Sequence, residues 1–306
     1  MNQRQYTEYT KLIDTIRNNG EREIEVLFLE EMRLLSIQLG DMFERYSEGG
    51  IVSRDEMMKF NRLQQMESEF IQRMKVLTQK QEEITKRSVE NVFIESYQYN
   101  MFSIESVAKV AVFGGLATSL INEYLYDNMS PTTWRDTINE DNNKLIRGIR
   151  SVLITGITNG QTLKEMSDEM KDQIRIGQNR ALTTIQSETH RADEDASLKS
   201  MRDAKDKGVI MKKRWLATLD SRTRKTHQHL DGQTIDIDDY FVSKSGRKAL
   251  APRKFGVAKE DINCRCRIIS ILDGLEPEAR RARDEVNQGT IINYKNYNEW
   301  KKNNIN

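Results

Sequence analysis

Residues 53–81 read "SRDEMMKFNRLQQMESEFIQRMKVLTQKQ", and this stretch decides the fold class. Ser53 with Glu56 three residues later is a capping-box signature for a helix start. Behind it Met57, Phe60, Leu63, Phe70, Met74 and Leu77 recur at helical spacing, with charges between them. That period lays the apolar side chains along one stripe of an α-helix and leaves the charged face to solvent. The spacing predicts one long helix from Ser53 past residue 85.

The same texture continues in both directions. Ile13, Ile16, Ile24, Leu27, Met32, Leu35 and Leu39 predict one or two helices over residues 5–46, broken at Gly49-Gly50. Residues 100–130 are the most apolar zone and predict a buried helical centre, followed by a turn around Pro131. Ile146, Ile149, Leu153 and Ile157 form another stripe that Asn159-Gly160 should end. Thr162 with Glu165 is a second capping box, and Leu163, Met166, Met170 and Ile174 begin a helix that continues towards Gly208. Composition agrees: 37% hydrophobic residues with a mean hydropathy of -0.72 is lean for one core, and three prolines suit helices.

At Gly208 the pattern changes. "VIMKKRWLATLD", "TIDIDDYFV" and "CRCRIISIL" carry strand signals, separated by the basic loop "SKSGRKALAPRKFG". The expected fold is mainly α with a small C-terminal α+β module: a long amphipathic helical arm followed by a compact motif-bearing domain. The expected divisions are an arm at 1–140, a motif domain at 141–275 with its α+β module at 208–275, and a polar tail at 276–306. The tail should hold a short helix and an extended arm.

Residues 1–16 lack the apolar core of a secretory signal, and the uncharged run Val110–Ile121 is too short to span a bilayer. No membrane is expected. P-loop, dinucleotide-binding and HExxH patterns do not occur. Residues 1–199 hold 25 Lys+Arg against 32 Asp+Glu, while residues 200–306 hold 23 against 15. The chain is therefore dipolar, with its basic half at the C-terminal end.

Both cysteines, Cys264 and Cys266, lie one residue apart in "DINCRCRIIS". Two of the three histidines, His227 and His229, are equally close in "SRTRKTHQHLDGQT". Thiolate and imidazole are the ligands of structural zinc, so His227, His229, Cys264 and Cys266 are candidate metal ligands. Extended backbone at each pair would present both side chains to one face, whereas a helix at 227–229 would present only one histidine. Arg265 and Arg267 would lower the thiol pKa values. The competing reading is a pair of small buried cysteines, with His229 on the surface; His190 reads as a solvated helix residue. Lys212, Lys213, Arg214, Lys244, Arg247, Lys248, Arg253 and Lys254 are candidate DNA-phosphate contacts. Asp220, Asp231 and Glu260 are available as general bases, but no arrangement names a reaction, and no catalytic residue is assigned.

"WLATLDSRTRKTHQHLDGQ", "DDYF", "APRKFG" and "INCRCRI" together resemble the head-morphogenesis family of tailed bacteriophages, the Mu F-like minor head (minor capsid) proteins. The family pattern falls on Trp215, Asp220, Arg224, His227, Leu230, Gly232, Pro252, Asn263, Cys264, Arg265 and Cys266. "ITNGQTLKEMSDEM" and "ALTTIQSETHRA" look like the helices before this motif, although Gln186-Ser187-Glu188 departs from the usual Ala-Arg-Thr-Glu flavour. The resemblance covers about residues 145–270. It implies a virion protein inside the capsid near the portal vertex, present in the host cytoplasm during assembly. It also implies contacts with the portal protein and packaged double-stranded DNA, and a part in head assembly, DNA packaging or ejection. Scaffold or major capsid protein are further expected partners. A non-enzymatic role with a possible structural zinc is the leading expectation. The alternatives are a metal-dependent nuclease or an ADP-ribosyltransferase-like enzyme. Some family members carry transferase domains after the motif, where this sequence has about 30 residues.

Overall fold

A computed structural model describes residues 3–111, 113, 114, 121, 133–272, 279–283 and 289–293. Its longest elements are the helices α1 (Gln3–Tyr46), α3 (Arg62–Ala108) and α5 (Leu163–Asp206). Shorter helices are α2 (Arg54–Met58), α4 (Trp134–Asn159), α6 (Lys225–Gln228) and α7 (Ala258–Asp261). The chain is mainly α with a small α+β module, as its periodicity predicts. The expected turn at Pro131 and most of the apolar zone at 110–130 lie outside the described residues.

Two compact units form. One comprises residues 19–87 and 130–185, the other residues 1–18, 88–129 and 186–306. This partition interleaves along the chain and cuts across the linear divisions at 140 and 275. Each unit owns a core. In the helical unit Ile24, Phe28, Leu39, Met74, Ile149, Met166 and Ile174 are fully or almost fully buried. Gly177 packs closely there: a Cβ on it would lie 3.0 Å from Leu145 and 3.2 Å from Phe28, so both side chains would have to give by a few tenths of an ångström.

Local chemistry explains the joints. Gly49 and Gly50, at φ 60° and 82°, turn the strands β1 (Ser47–Glu48) and β2 (Ile51–Val52) into a hairpin. Ser53 caps α2 by accepting from Glu56 N at 3.2 Å, but the Glu56 carboxylate turns to Lys59 and Arg62 rather than closing the box. Thr162 and Glu165 do close theirs: Thr162 N donates to Glu165 Oε2 at 2.8 Å and Glu165 N to Thr162 Oγ1 at 3.4 Å. Gly160 ends α4 in the left-handed conformation at φ 65°.

The expected continuous helix after Ser53 is interrupted. Phe60 and Asn61 adopt left-handed backbone (φ 54° and 55°), so α2 and α3 are separate. The kink rotates Phe60 out of the apolar stripe, leaving it 82% exposed, while Met57, Phe70, Met74 and Leu77 stay buried. Arg62 stacks its guanidinium 4.1 Å from the Tyr46 ring centre at this joint.

In the other unit β3 (Met211–Leu216) pairs antiparallel with β7 (Arg267–Leu272), bringing Trp215 opposite Ile268, and with β4 (Thr234–Ile235) on its other side. A short hairpin joins β5 (Phe241–Val242) to β6 (Lys248–Ala249). The expected strand over "TIDIDDYFV" is thus split between two sheets. The polar tail differs from expectation too. β8 (Ala279–Arg283) pairs with β9 (Gly289–Asn293), and Arg280 is 1% exposed, bound to Asp231 and to Ala217 O. Arginine in this run is therefore an internal anchor, which the alternation of charges there conceals.

The unit is knitted by one buried carboxylate. Asp193 on α5 accepts from Ser96 Oγ at 2.7 Å and from Tyr9 on one oxygen. Its other oxygen accepts from Arg17 Nη2 at 2.8 Å and from Arg267. Removing one partner of such a buried set leaves charges unpaired. Asp193→Ala should therefore lower unfolding stability by about 3–5 kcal/mol, measured by urea denaturation. A loss under about 1 kcal/mol, the worth of an exposed pair, would contradict this role.

Candidate metal centre

Three donors meet in the small module. His227 sits in α6, whose backbone Arg224 starts by accepting from His227 N at 2.9 Å. Gly232, at φ 79°, turns the chain back so that its N–H reaches Trp215 O at 2.9 Å. On the opposite side α7 ends at Asp261, and Asn263 takes the left-handed conformation at φ 57°. Asparagine tolerates that backbone better than most residues, which gives the Asn263 position its physical reason. The turn delivers Cys264 and Cys266, on alternate positions just before β7, to the same imidazole.

His227 Nδ1 lies 3.4 Å from Cys264 Sγ and 3.5 Å from Cys266 Sγ. All three side chains are buried, with donor atoms within 4.8 Å of one another. A zinc ion with Zn–S of about 2.3 Å and Zn–N of about 2.0–2.1 Å at tetrahedral angles places S and N about 3.5 Å apart. The observed separations fit that edge. His227 Nε2 is 3.0 Å from Glu260 Oε2, though not in line for a straight hydrogen bond. A carboxylate behind a ligating histidine fixes its tautomer and orientation. Thr226 Oγ1 and Ser245 Oγ donate to Glu260 at 2.9 and 3.1 Å. Burial opposes ionisation of Glu260, but these hydroxyls and His227 outweigh it and hold its pKa below the usual range.

Aromatic rings close the site. Trp215, fully buried, packs edge-on to His227 at 5.6 Å and to Phe241 at 5.1 Å, while Phe255 stacks on His227 at 5.6 Å. Burial raises both thiols, yet the sulfur–sulfur hydrogen bond, His227 and Arg253 bring Cys264 well below its ordinary value. Burial and the charge on Cys264 keep Cys266 high.

The remaining expected residues divide. His229 ends α6 and is exposed, outside the donor group, because a helix turns adjacent side chains apart. The expected role of Arg265 and Arg267 as thiol neighbours is not what they do: Arg265 grips Asp220 at 2.5 and 3.0 Å, and Arg267 binds Asp193. Arg224 donates to Ile262 O. Leu230 is fully buried and Pro252 is buried. Asp231 holds Ala217 N at 2.8 Å and Arg280, so it is a structural acceptor rather than a base.

Of the eight basic candidates, Lys213 is buried, donates to Leu250 O at 2.7 Å, and is pushed by burial down to about 8. Arg253 is buried against Ser187 O and Cys264 O, and Lys254 pairs with Asp195. Arg214 Nε donates to Thr234 Oγ1 at 2.7 Å. Lys212, Lys244, Arg247 and Lys248 remain exposed. His190, expected in solvent, is half-buried.

A family model described as "Phage Mu protein F like protein" matches residues 147–269, which contain this whole arrangement. Residues 147–269 are thus similar to the Mu F-like family. Over 300 residues it is 27% identical to "Minor head protein GP7" of Bacillus phage SPP1, covering 96% of both chains. It is 36% identical over 157 residues to "NAD(+)--arginine ADP-ribosyltransferase EFV" of Enterococcus faecalis, covering 51% of this chain but 31% of that protein. No solved structure matches. Within this segment, Glu260 and the Asp193-Glu194 pair carry site roles that the sequence leaves unassigned. Their partners lie 33 and 74 residues away, at His227 and Arg267, and a local pattern contains neither.

Glu194 Oε2 accepts from Ile268 N at 2.8 Å, tying β7 to α5. Burial, then the charge of Asp193, raises its pKa well above 4.5. Above pH 4.5 the unfolded carboxyl loses its proton while the folded one keeps it, so stability falls as pH rises towards the folded pKa. Glu194→Gln keeps an acceptor and removes the titration. Between pH 5 and 8 it should pull ahead of the wild type by at most about 1.4 kcal/mol per pH unit, read by denaturation at each pH. Parallel profiles would refute the assignment.

Proposed function

We propose that this chain is a minor head protein of a tailed phage, incorporated in the virion. The supporting observation is the end-to-end similarity to the SPP1 minor head protein, over 96% of both chains. On this reading the protein sits inside the capsid near the portal vertex. It contacts the portal protein and packaged DNA, with scaffold or major capsid protein as further partners during assembly. Among the described residues no helix is long and apolar enough to cross a membrane.

The DNA-facing element on this reading is the β5–β6 hairpin with its exposed Lys244, Arg247 and Lys248, with Lys212 of β3 as a further exposed cation. Such residues neutralise phosphates without reading sequence. The His227–Cys264–Cys266 group is read as a structural zinc site, with Glu260 behind the histidine. Burial of all three donors favours pinning the module over hydrolysis, because a catalytic metal keeps an open position. ADP-ribose transfer is a second reading, carried by the segment shared with the Enterococcus protein. Transfer of label from NAD to an arginine substrate would support it.

Changing Lys244, Arg247 and Lys248 together to Ala should weaken duplex binding and flatten the log–log salt dependence by about 2–3, followed by fluorescence anisotropy. Unchanged affinity and slope would remove the hairpin from the interface. For the metal, elemental analysis of the purified chain should find about one zinc per molecule, lost in Cys264→Ser together with the module's protease resistance. A metal-free wild type that matches the variant in stability would make both cysteines ordinary core residues.

A further inference from the structure

Four arginines, Arg17, Arg265, Arg267 and Arg280, converge on one cavity in the unit that contains the α+β module. Tyr6, Thr218 and His190 complete its polar wall, and among the described residues no carboxylate lines it. Each guanidinium is held from behind by an acid: Arg17 and Arg267 by Asp193, Arg265 by Asp220, and Arg280 by Asp231. Asp14 stands 3.8 Å from Arg17 Nη1 and is partly exposed. The acids fix the planar forks and leave further N–H groups turned elsewhere. Arg17 Nε and Arg267 Nη1 are buried and have no hydrogen-bond partner among the described residues. Both residues are buried, with relative exposures of 4% for Arg17 and 9% for Arg267.

Charge and size narrow the occupant. Glu194 lies 4.0 Å from Arg267 Nε, and burial together with Asp193 disfavours its ionised form. The cavity measures about 20 Å³, somewhat above the roughly 10–15 Å³ that one water needs. It suits one small group, not a base or a sugar. Arg265 and His190 are only partly buried. Rigid guanidinium forks bind tetrahedral oxyanions through paired charge-assisted hydrogen bonds.

We propose that this cavity is an oxyanion site that takes a single phosphate group, gripped by Arg17, Arg265 and Arg267 with Tyr6 and His190 at its wall. The phosphate comes from free solution or from a DNA backbone. The site stands independently of whether the Lys244–Lys248 hairpin touches DNA.

Isothermal titration of the full chain with inorganic phosphate, at ionic strength held constant with chloride, tests it. The wild type should show saturable binding to one site. Arg265→Gln should bind about ten-fold more weakly or worse, the loss of one charge-assisted contact, and Lys248→Ala should bind like the wild type. Circular dichroism checks that Arg265→Gln is folded; if it is not, Tyr6→Phe replaces it and should show a smaller loss. No saturable phosphate binding by the wild type, or equal affinity in the cavity variants, overturns the proposal. Once binding is seen, adding short duplex DNA separates the sources. Displacement of phosphate identifies a backbone phosphate as the natural occupant, and its retention identifies the free anion.

Discussion

A charge without water must be answered by other charges, and Asp193 sets that requirement for the unit that carries the site. Burial disfavours its ionised form, but Arg267 and Arg17 overcome that and hold its pKa far below the ordinary range. Meeting it forces residues 9, 17, 96 and 267 to one point. Arg267 opens β7, and the next residue, Ile268, gives its N–H to Glu194. The start of β7 is therefore fixed against α5. The β3–β7 register then sets Trp215 against Ile268, and the segment just before β7 carries Cys264 and Cys266 to His227. The donor cluster inherits its geometry from an ion network in which it takes no part.

The stripes at Ile13 to Leu39 and at Met57 to Leu77 were legible because periodicity is a local property, and burial follows it closely. Phe60 escaped that logic through two left-handed residues that no period encodes. "HRADED" reads as a solvated helix face, since charged residues are seldom buried unless paired. Its Asp193 and Glu194 are buried because their partners come from far along the chain. The cysteine–histidine pairing was legible from residue chemistry, and the loss of His229 followed from helix geometry that the sequence left open. Among the basic candidates, Lys213, Arg253 and Lys254 are consumed by internal acceptors, and composition does not distinguish an anchoring arginine from a contacting one.

The module combines two kinds of cation. Arginines tied to acids or carbonyls build its interior, while lysines and an arginine on the β5–β6 hairpin face outward. Its strands are short and its apolar core leans on Trp215, Phe241 and Phe255 around His227. A fold with so few strand residues relies on cross-links of high specificity, and a metal held by three converging side chains would be one. The Mu F-like segment thus reads as a compact, polar-stitched body rather than as an oily one.

The interleaving of the two units bears on the order of events during synthesis. Every residue of the helical unit, 19–87 and 130–185, is synthesised before residues 186–306. Its core can therefore close on short-range helix pairings while residues 1–18 and 88–108 still await their partners. Arg17 and Ser96 meet Asp193 early, but Arg267 arrives 74 residues later, and Cys264 and Cys266 only just ahead of it. Until then a buried carboxylate lacks one of its two cations. That order of synthesis leaves segments 1–18 and 88–108, which carry the apolar Ile13, Val92, Phe93, Met101 and Ile104 as well as charges, waiting for residues 186–306 to cover them.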